Sequence, residues 1–131
     1  MNARRRMHEH RGQTLVEVAV ALPVLLLVLF AILQFGIVFK NYLALTDAVR
    51  AGARKGAVSR QVADPVGTTK TAVRNAATDL GPSLTVTVTP AAPWVAGNDL
   101  TVKATYPFCI DVLHLVVRCG NLTSQTVEHI E

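Results

Sequence analysis

The hydrophobic rhythm of the chain changes twice along its length. From Val18 to Phe39 it reads VAVALPVLLLVLFAILQFGIVF, with no charged residue and only Pro23, Gln34 and Gly36 as polar or helix-weakening interruptions. As a helix rising ~1.5 Å per residue this run spans about 33 Å, against the roughly 30 Å hydrocarbon core of a bilayer. Each Leu, Ile, Val or Phe near a helix centre favours insertion by about 0.3–0.6 kcal/mol. The sixteen in this run therefore contribute on the order of 5–10 kcal/mol, which one proline and one glutamine do not offset. A buried core helix would need cover on every side, and the remaining residues are too few and too polar to supply it. A secretory signal has a shorter apolar region ending at a small-x-small cleavage site, whereas this run passes into Lys40 and further helical sequence. The run is read as a single membrane span.

Beyond it the helical rhythm persists in a different form. No proline occurs from Lys40 to about Arg60, and Ala44, Ala48, Gly52 and Gly56 recur every fourth residue, a stripe of small side chains on one face. Each glycine weakens an isolated helix by about 1 kcal/mol relative to Ala, so the spacing points to a close-packing face. Either a helix of another subunit or the chain's own sheet would satisfy it. Val62-Ala63-Asp64-Pro65-Val66-Gly67 ends this helix, with Asp64 placed to start the next turn. Thr69 to Leu80 carries Val73, Ala76, Ala77 and Leu80 at spacings of three and four, which predicts a short amphipathic helix closed by Gly81-Pro82.

After Gly81-Pro82 the period becomes two. Leu84, Val86 and Val88 alternate with threonines, as do Leu100, Val102, Ala104 and Tyr106 with Thr101, Lys103 and Thr105. These are half-buried strands, joined through Pro90 to Asp99 with a Gly97-Asn98 turn. A third strand is expected around Leu122 to Ile130. The expected class is α+β: a long N-terminal transmembrane helix continuing into a small extracytoplasmic head, with a short second helix and a two- to three-stranded antiparallel sheet. Its organisation is a cytoplasmic basic leader over 1–12, the transmembrane and continuing helix over 13–60, and the head over 61–131.

Charge sets the orientation. Arg4, Arg5, Arg6 and Arg11, less Glu9, give the first twelve residues +3 of the chain's formal net charge of +4, and only Lys40 follows the span closely. By the positive-inside rule the N-terminus stays in the cytoplasm. A triple-Arg cluster beside a span is a topology signal, and no nucleic-acid partner is expected. The search for chemistry returns little. His8 and His10 lie in the leader, and His114 and His129 stand apart; Asp111 and His114 form too common a pair to name a metal site. There is no HExxH, Walker loop, Gly-x-Ser-x-Gly or paired CxxC, so neither an enzyme nor a metal or other cofactor is expected. Asn121-Leu122-Thr123 fits a glycosylation sequon, but beside Gly120 the asparagine reads more simply as a turn residue.

Cys109 and Cys119 are the only two cysteines, and both lie across the membrane from the arginines. An even pair in an oxidising compartment favours a disulfide; two buried thiols acting as small hydrophobes are the other reading. A bridge would clamp the apolar stretch IDVLHLVVR as a loop, with Gly120-Asn121 turning the chain after it, and such a loop would offer a contact surface to the next subunit.

The most specific feature is the junction Arg11-Gly12-Gln13-Thr14-Leu15-Val16-Glu17, where a carboxylate stands at the threshold of the apolar run. An ionisable residue there is a functional candidate, although an interfacial carboxylate also snorkels to water at little cost. Gly-x-x-x-x-Glu between basic residues and an apolar helix resembles the processing site of type IV prepilins, cut after the glycine by a membrane peptidase. The stretch GQTLVEVAVALPVLLLVLFAILQFG is similar to the N-terminal signature of TadE-like proteins, the pseudopilin family of Flp/Tad pili. NYLALTDAVRAGARKGA, with Gly52-Ala53-Arg54, and LTVKATYPF resemble the family's continuing helix and a later strand. The resemblance implies cleavage between Gly12 and Gln13 and an assembly role for Glu17. As partners it implies the lipid bilayer, other pilins or pseudopilins, an inner-membrane assembly platform and a prepilin peptidase. A permanently anchored, uncleaved adaptor of a pilus or secretion complex is the alternative. Gln13 in place of the Phe of type IVa pilins, and Val18 in place of the Tyr of Flp-type pilins, point away from a major pilin.

Overall fold

The computed structural model describes residues 3–112 and 115–131, with side chains described for 13–111 and 118–131. The long helical run forms α1 (Ala3–Ala57), which takes in Pro23 and ends three residues before the expected Arg60. The chain divides into two compact units, with the boundary between Phe35 and Gly36. Up to Phe35 there is only helix. Its apolar side chains face outward on all sides, from Phe30 at 38% exposure to Leu15 at 71%. Gln13–Ala57 includes a window of mean hydropathy 2.9 with none of it buried. This helix is long and apolar enough to cross a membrane, and the chain is read as a single-pass membrane protein on that ground.

The second unit, Gly36–Glu131, holds the tertiary packing. In chain order it contains the end of α1, α2 (Pro65–Ala76), a 3-10 turn (Thr78–Leu80), β1 (Thr85–Thr89), β2 (Asp99–Val112) and β3 (Leu115–His129). The three strands form one antiparallel sheet in the order β1-β2-β3. The second helix starts four residues earlier than the Thr69 expected from its rhythm, and a 3-10 turn completes the segment to Leu80. Asp64 accounts for the early start. Its Oδ1 accepts from the Gly67 N–H at 2.8 Å, and Pro65 at the first position needs no donor partner.

One apolar core joins these elements. Leu45, Ala48, Val49 and Ala53 of α1 and Val73 of α2 are buried against Val86, Leu100, Val102 and Ala104 of the sheet, with Leu80, Leu84, Trp94 and Ile130 at the margins. The period of two seen in the sequence is the inward face of this sheet, while Thr85, Thr87, Thr89, Lys103 and Gln125 point away from the core and are exposed. Trp94 is 6% exposed and its indole Nε1 donates to the Pro90 carbonyl at 3.0 Å, which anchors the connection between β1 and β2. Gly97 turns the chain there at φ +85°. The C-terminus is tied back, because the Glu131 N–H donates to the Ala57 carbonyl at the end of α1, at 3.0 Å. That bond satisfies one of the carbonyls a helix end leaves open.

The sheet departs from expectation between Pro107 and Asn121. Cys109 and Cys119 are bonded, but the stretch between them is not a loop: β2 runs on to Val112 and β3 starts at Leu115. His114 and the hairpin turn lie outside the described residues. Gly120 and Asn121 do not turn the chain; they lie within β3, opposite Phe108 and Pro107. Two side-chain facts explain why these usual strand breakers are tolerated. A Cβ on Gly120 would lie 3.2 Å from Cε1 of Phe108, so that ring covers the glycine. The Cα atoms of the cystine are 4.0 Å apart, the close spacing of a non-hydrogen-bonded antiparallel pair. Odd-numbered β2 residues near it thus point their backbone groups away from β3. Pro107 lacks its N–H on the side where β1, whose last pair is Thr85 with Thr105, has already ended.

Two expectations follow for stability. A Cβ at position 52 would sit 2.1 Å from Cγ2 of Val73, whereas one at Gly36 would meet nothing within 4 Å. Gly52→Ala is expected to destabilise the second unit by about 1–3 kcal/mol through overpacking, more than the ~1 kcal/mol that helix propensity returns. Gly36→Ala should leave the thermal midpoint level or slightly raised, both read by circular dichroism of the detergent-solubilised protein. Cys109→Ser should lower the midpoint, since loop closure by the bridge contributes about 2.5–3 kcal/mol. Thiol titration of the native oxidised protein should find none, and two reactive thiols would contradict the bridge.

Candidate functional site

The residues singled out at the head of the apolar run lie on α1. Glycine, glutamine and glutamate at positions 12, 13 and 17 follow one another without a break in the helix, so Gln13 and Glu17, four apart, share one face. Gln13 Nε2 donates to Glu17 Oε1 at 3.3 Å, and both side chains are exposed. The sequence reading named each residue but missed their pairing, although the i,i+4 spacing was the available signal. Immediately after them, Val18, Val20, Leu22, Val24 and Leu25 present an outward apolar surface. A carboxylate held at the edge of such a surface sits in water in isolation, and would enter a low-dielectric setting wherever the neighbouring apolar faces are covered. The side chains of Arg4, Arg5, Arg6 and Arg11, and of His8 and His10, lie outside the described residues.

The small-residue stripe is met by the chain's own elements. Ala44 packs at the edge of the core and Ala48 is 1% exposed within it. Gly52 lies against Val73 of α2, and Gly56 against Thr69 of α2 and Leu100 of β2. Thr69 is buried without loss because its hydroxyl donates to the Pro65 carbonyl at 2.8 Å.

Cys109 and Cys119 lie directly opposite each other in β2 and β3, bonded, on the exposed side of the two-stranded arm. His129 and Asp99, which sequence reasoning did not connect, face each other at the other end of the same pair of strands, with Nδ1 2.6 Å from the carboxylate. Both are mostly exposed, as are the pairs Lys40–Asp79 and Asp47–Arg50, and such surface pairs contribute at most about 1 kcal/mol. Among the described residues no group of three or more His, Cys, Asp or Glu side chains could hold a metal ion.

The arrangement is a helix whose apolar side chains are outward on every side up to Phe35, a carboxylate at the threshold of that run, and a small disulfide-bonded unit further along the chain. No curated protein and no solved structure matches the chain significantly. The family model described as TadE-like protein matches residues 12–54, beginning at Gly12 and covering Glu17, the apolar run and most of the small-residue stripe, and over that third of its length the chain is similar to TadE-like proteins.

Proposed function

We propose that the chain is a minor pilin or pseudopilin taking part in assembly of a Tad/Flp-type surface pilus, and that a prepilin peptidase cuts it after Gly12. The observation that carries this reading is the extent of the family match, which opens on Gly12 and takes in Glu17 and the whole apolar run. The proposed topology puts the arginine-rich leader in the cytoplasm and the disulfide-bonded unit outside it, since the bridge belongs to an oxidising compartment. Its partners are then the bilayer, other pilins or pseudopilins and the inner-membrane assembly platform, and its contribution to adhesion is made through the pilus. The role is structural rather than enzymatic, in keeping with the family.

Cleavage needs the helix to open at the scissile bond. Gly12 eases this, because a glycine within a helix weakens it by about 1 kcal/mol relative to Ala. In the membrane, before assembly, Glu17 lies near the cytoplasmic edge; in a filament its carboxylate pairs with the free amine of a neighbouring mature N-terminus. That attraction strengthens as water is excluded, and an unpaired carboxylate buried there would be strongly unfavourable.

Two measurements test the reading. Mass spectrometry of the chain from cells holding the peptidase should find Gln13 as first residue, and Gly12→Phe should retain residues 1–12. A wild-type chain that keeps its leader would instead make it an uncleaved membrane adaptor. Glu17→Ala should insert normally yet be depleted at least several-fold from sheared surface filaments, judged by immunoblot of membrane and filament fractions. Undiminished incorporation would reduce Glu17 to an interfacial polar residue.

A further inference from the structure

We propose that Gln13, once the cut after Gly12 makes it the first residue, closes into a pyroglutamyl cap, so that the mature N-terminus passes from a charged to an uncharged form. This rests on the processing reading above. In the step itself the Gln13 amine attacks its own side-chain carbonyl carbon, Cδ. A bond forms between the backbone nitrogen and Cδ, the bond from Cδ to Nε2 breaks, a proton passes from the amine to Nε2, and ammonia leaves. Nothing is oxidised or reduced and no co-reactant is required.

Three features of Gln13 favour closure. Amine and amide carbon belong to one residue and meet in a five-membered ring, so the reaction is intramolecular and needs no encounter. As the first residue of a helix its nitrogen has no carbonyl four residues back to engage it, unlike the nitrogens further along α1. Its side chain is exposed, and among the described residues its Nε2 donates to Glu17 Oε1 at 3.3 Å, which sets an exposed carboxylate beside the nitrogen that departs.

Closure changes the threshold of the apolar helix in two ways. The amine loses its positive charge, and Glu17 loses its donor on its own chain, because that donor leaves as ammonia. Charge pairing between Glu17 and a neighbouring N-terminus is thus open only to chains that assemble before they cyclise. An amine already engaged by a carboxylate is protonated and is no longer a nucleophile.

The test is the intact mass and N-terminal fragment spectrum of the full chain extracted from membranes. The expected species begins at Gln13, is lighter than the uncyclised chain by one ammonia, and resists stepwise N-terminal degradation until treated with pyroglutamyl aminopeptidase. A chain that begins at Gln13 at full mass, or heavier by one methylene, overturns the cap and leaves the processing reading intact. A chain that retains residues 1–12 overturns both. Gln13→Ser should be cut yet show no ammonia loss; the same loss in that variant would place it at another residue and overturn the assignment to Gln13.

Discussion

The structure depends on how the apolar surface of α1 is covered. Over its first part the helix exposes leucine, valine, isoleucine and phenylalanine on every side, and none of this surface is buried within the chain. A helix apolar all round is stable only where hydrocarbon or other apolar helices surround it. From Leu45 onward the same helix needs cover on one side alone, and the sheet and α2 supply it. One element therefore satisfies two kinds of surroundings in sequence, and the small residues Ala48, Gly52 and Gly56 mark the second.

Close approach is what lets so few residues build a core in the second unit. With no side chain at Gly52 and Gly56, Val73, Thr69 and Leu100 reach the helix backbone, and fourteen buried residues among those described form one cluster. A domain of this size buries a modest share of its surface, so cross-links and tied ends matter more than in a large protein. The cystine closes the β2–β3 arm, and the Glu131 to Ala57 hydrogen bond ties the last residue to the end of α1. Two hydroxyls brought inside are satisfied locally, Thr69 by the Pro65 carbonyl and Ser59 by that of Lys55.

At the other end of α1 the chemistry is sparse and for that reason specific. Between Arg11 and Lys40 there is one ionisable side chain, Glu17. In water its value is small and its hydrogen bond to Gln13 is an ordinary surface contact. Covered by neighbouring apolar helices, the same carboxylate would require a partner, and the assembly role proposed for Glu17 rests on that requirement. The processing and cap proposals both concern which partner is present at that moment.

Much of this was legible in the sequence because it rests on local signals. A charge-free apolar run gives the long helix, a four-residue repeat of small side chains marks a packing face, the spacing of Val73, Ala76, Ala77 and Leu80 gives a short second helix though not its start at Pro65, and alternation with threonine reveals the inward face of the sheet. The threshold residues Gly12, Gln13 and Glu17 were legible as a motif, and the cysteines as a pair. Local signals did not say what the small-residue stripe packs against, since a foreign helix and the chain's own sheet ask for the same residues; the tertiary structure places Val73, Thr69 and Leu100 there. Nor did they show that β2 and β3 continue through the cystine, because the apolar stretch between the cysteines reads as a loop and Gly120-Asn121 as a turn when each segment is considered alone. Strand extension is settled across strands. The cystine holds the register, Phe108 fills the place of the missing Gly120 side chain, and the open edge beside Pro107 leaves no donor unmet. Sequence thus determined the parts whose stability is local to one element, and tertiary structure decided those in which each residue's environment is made by a partner far away along the chain.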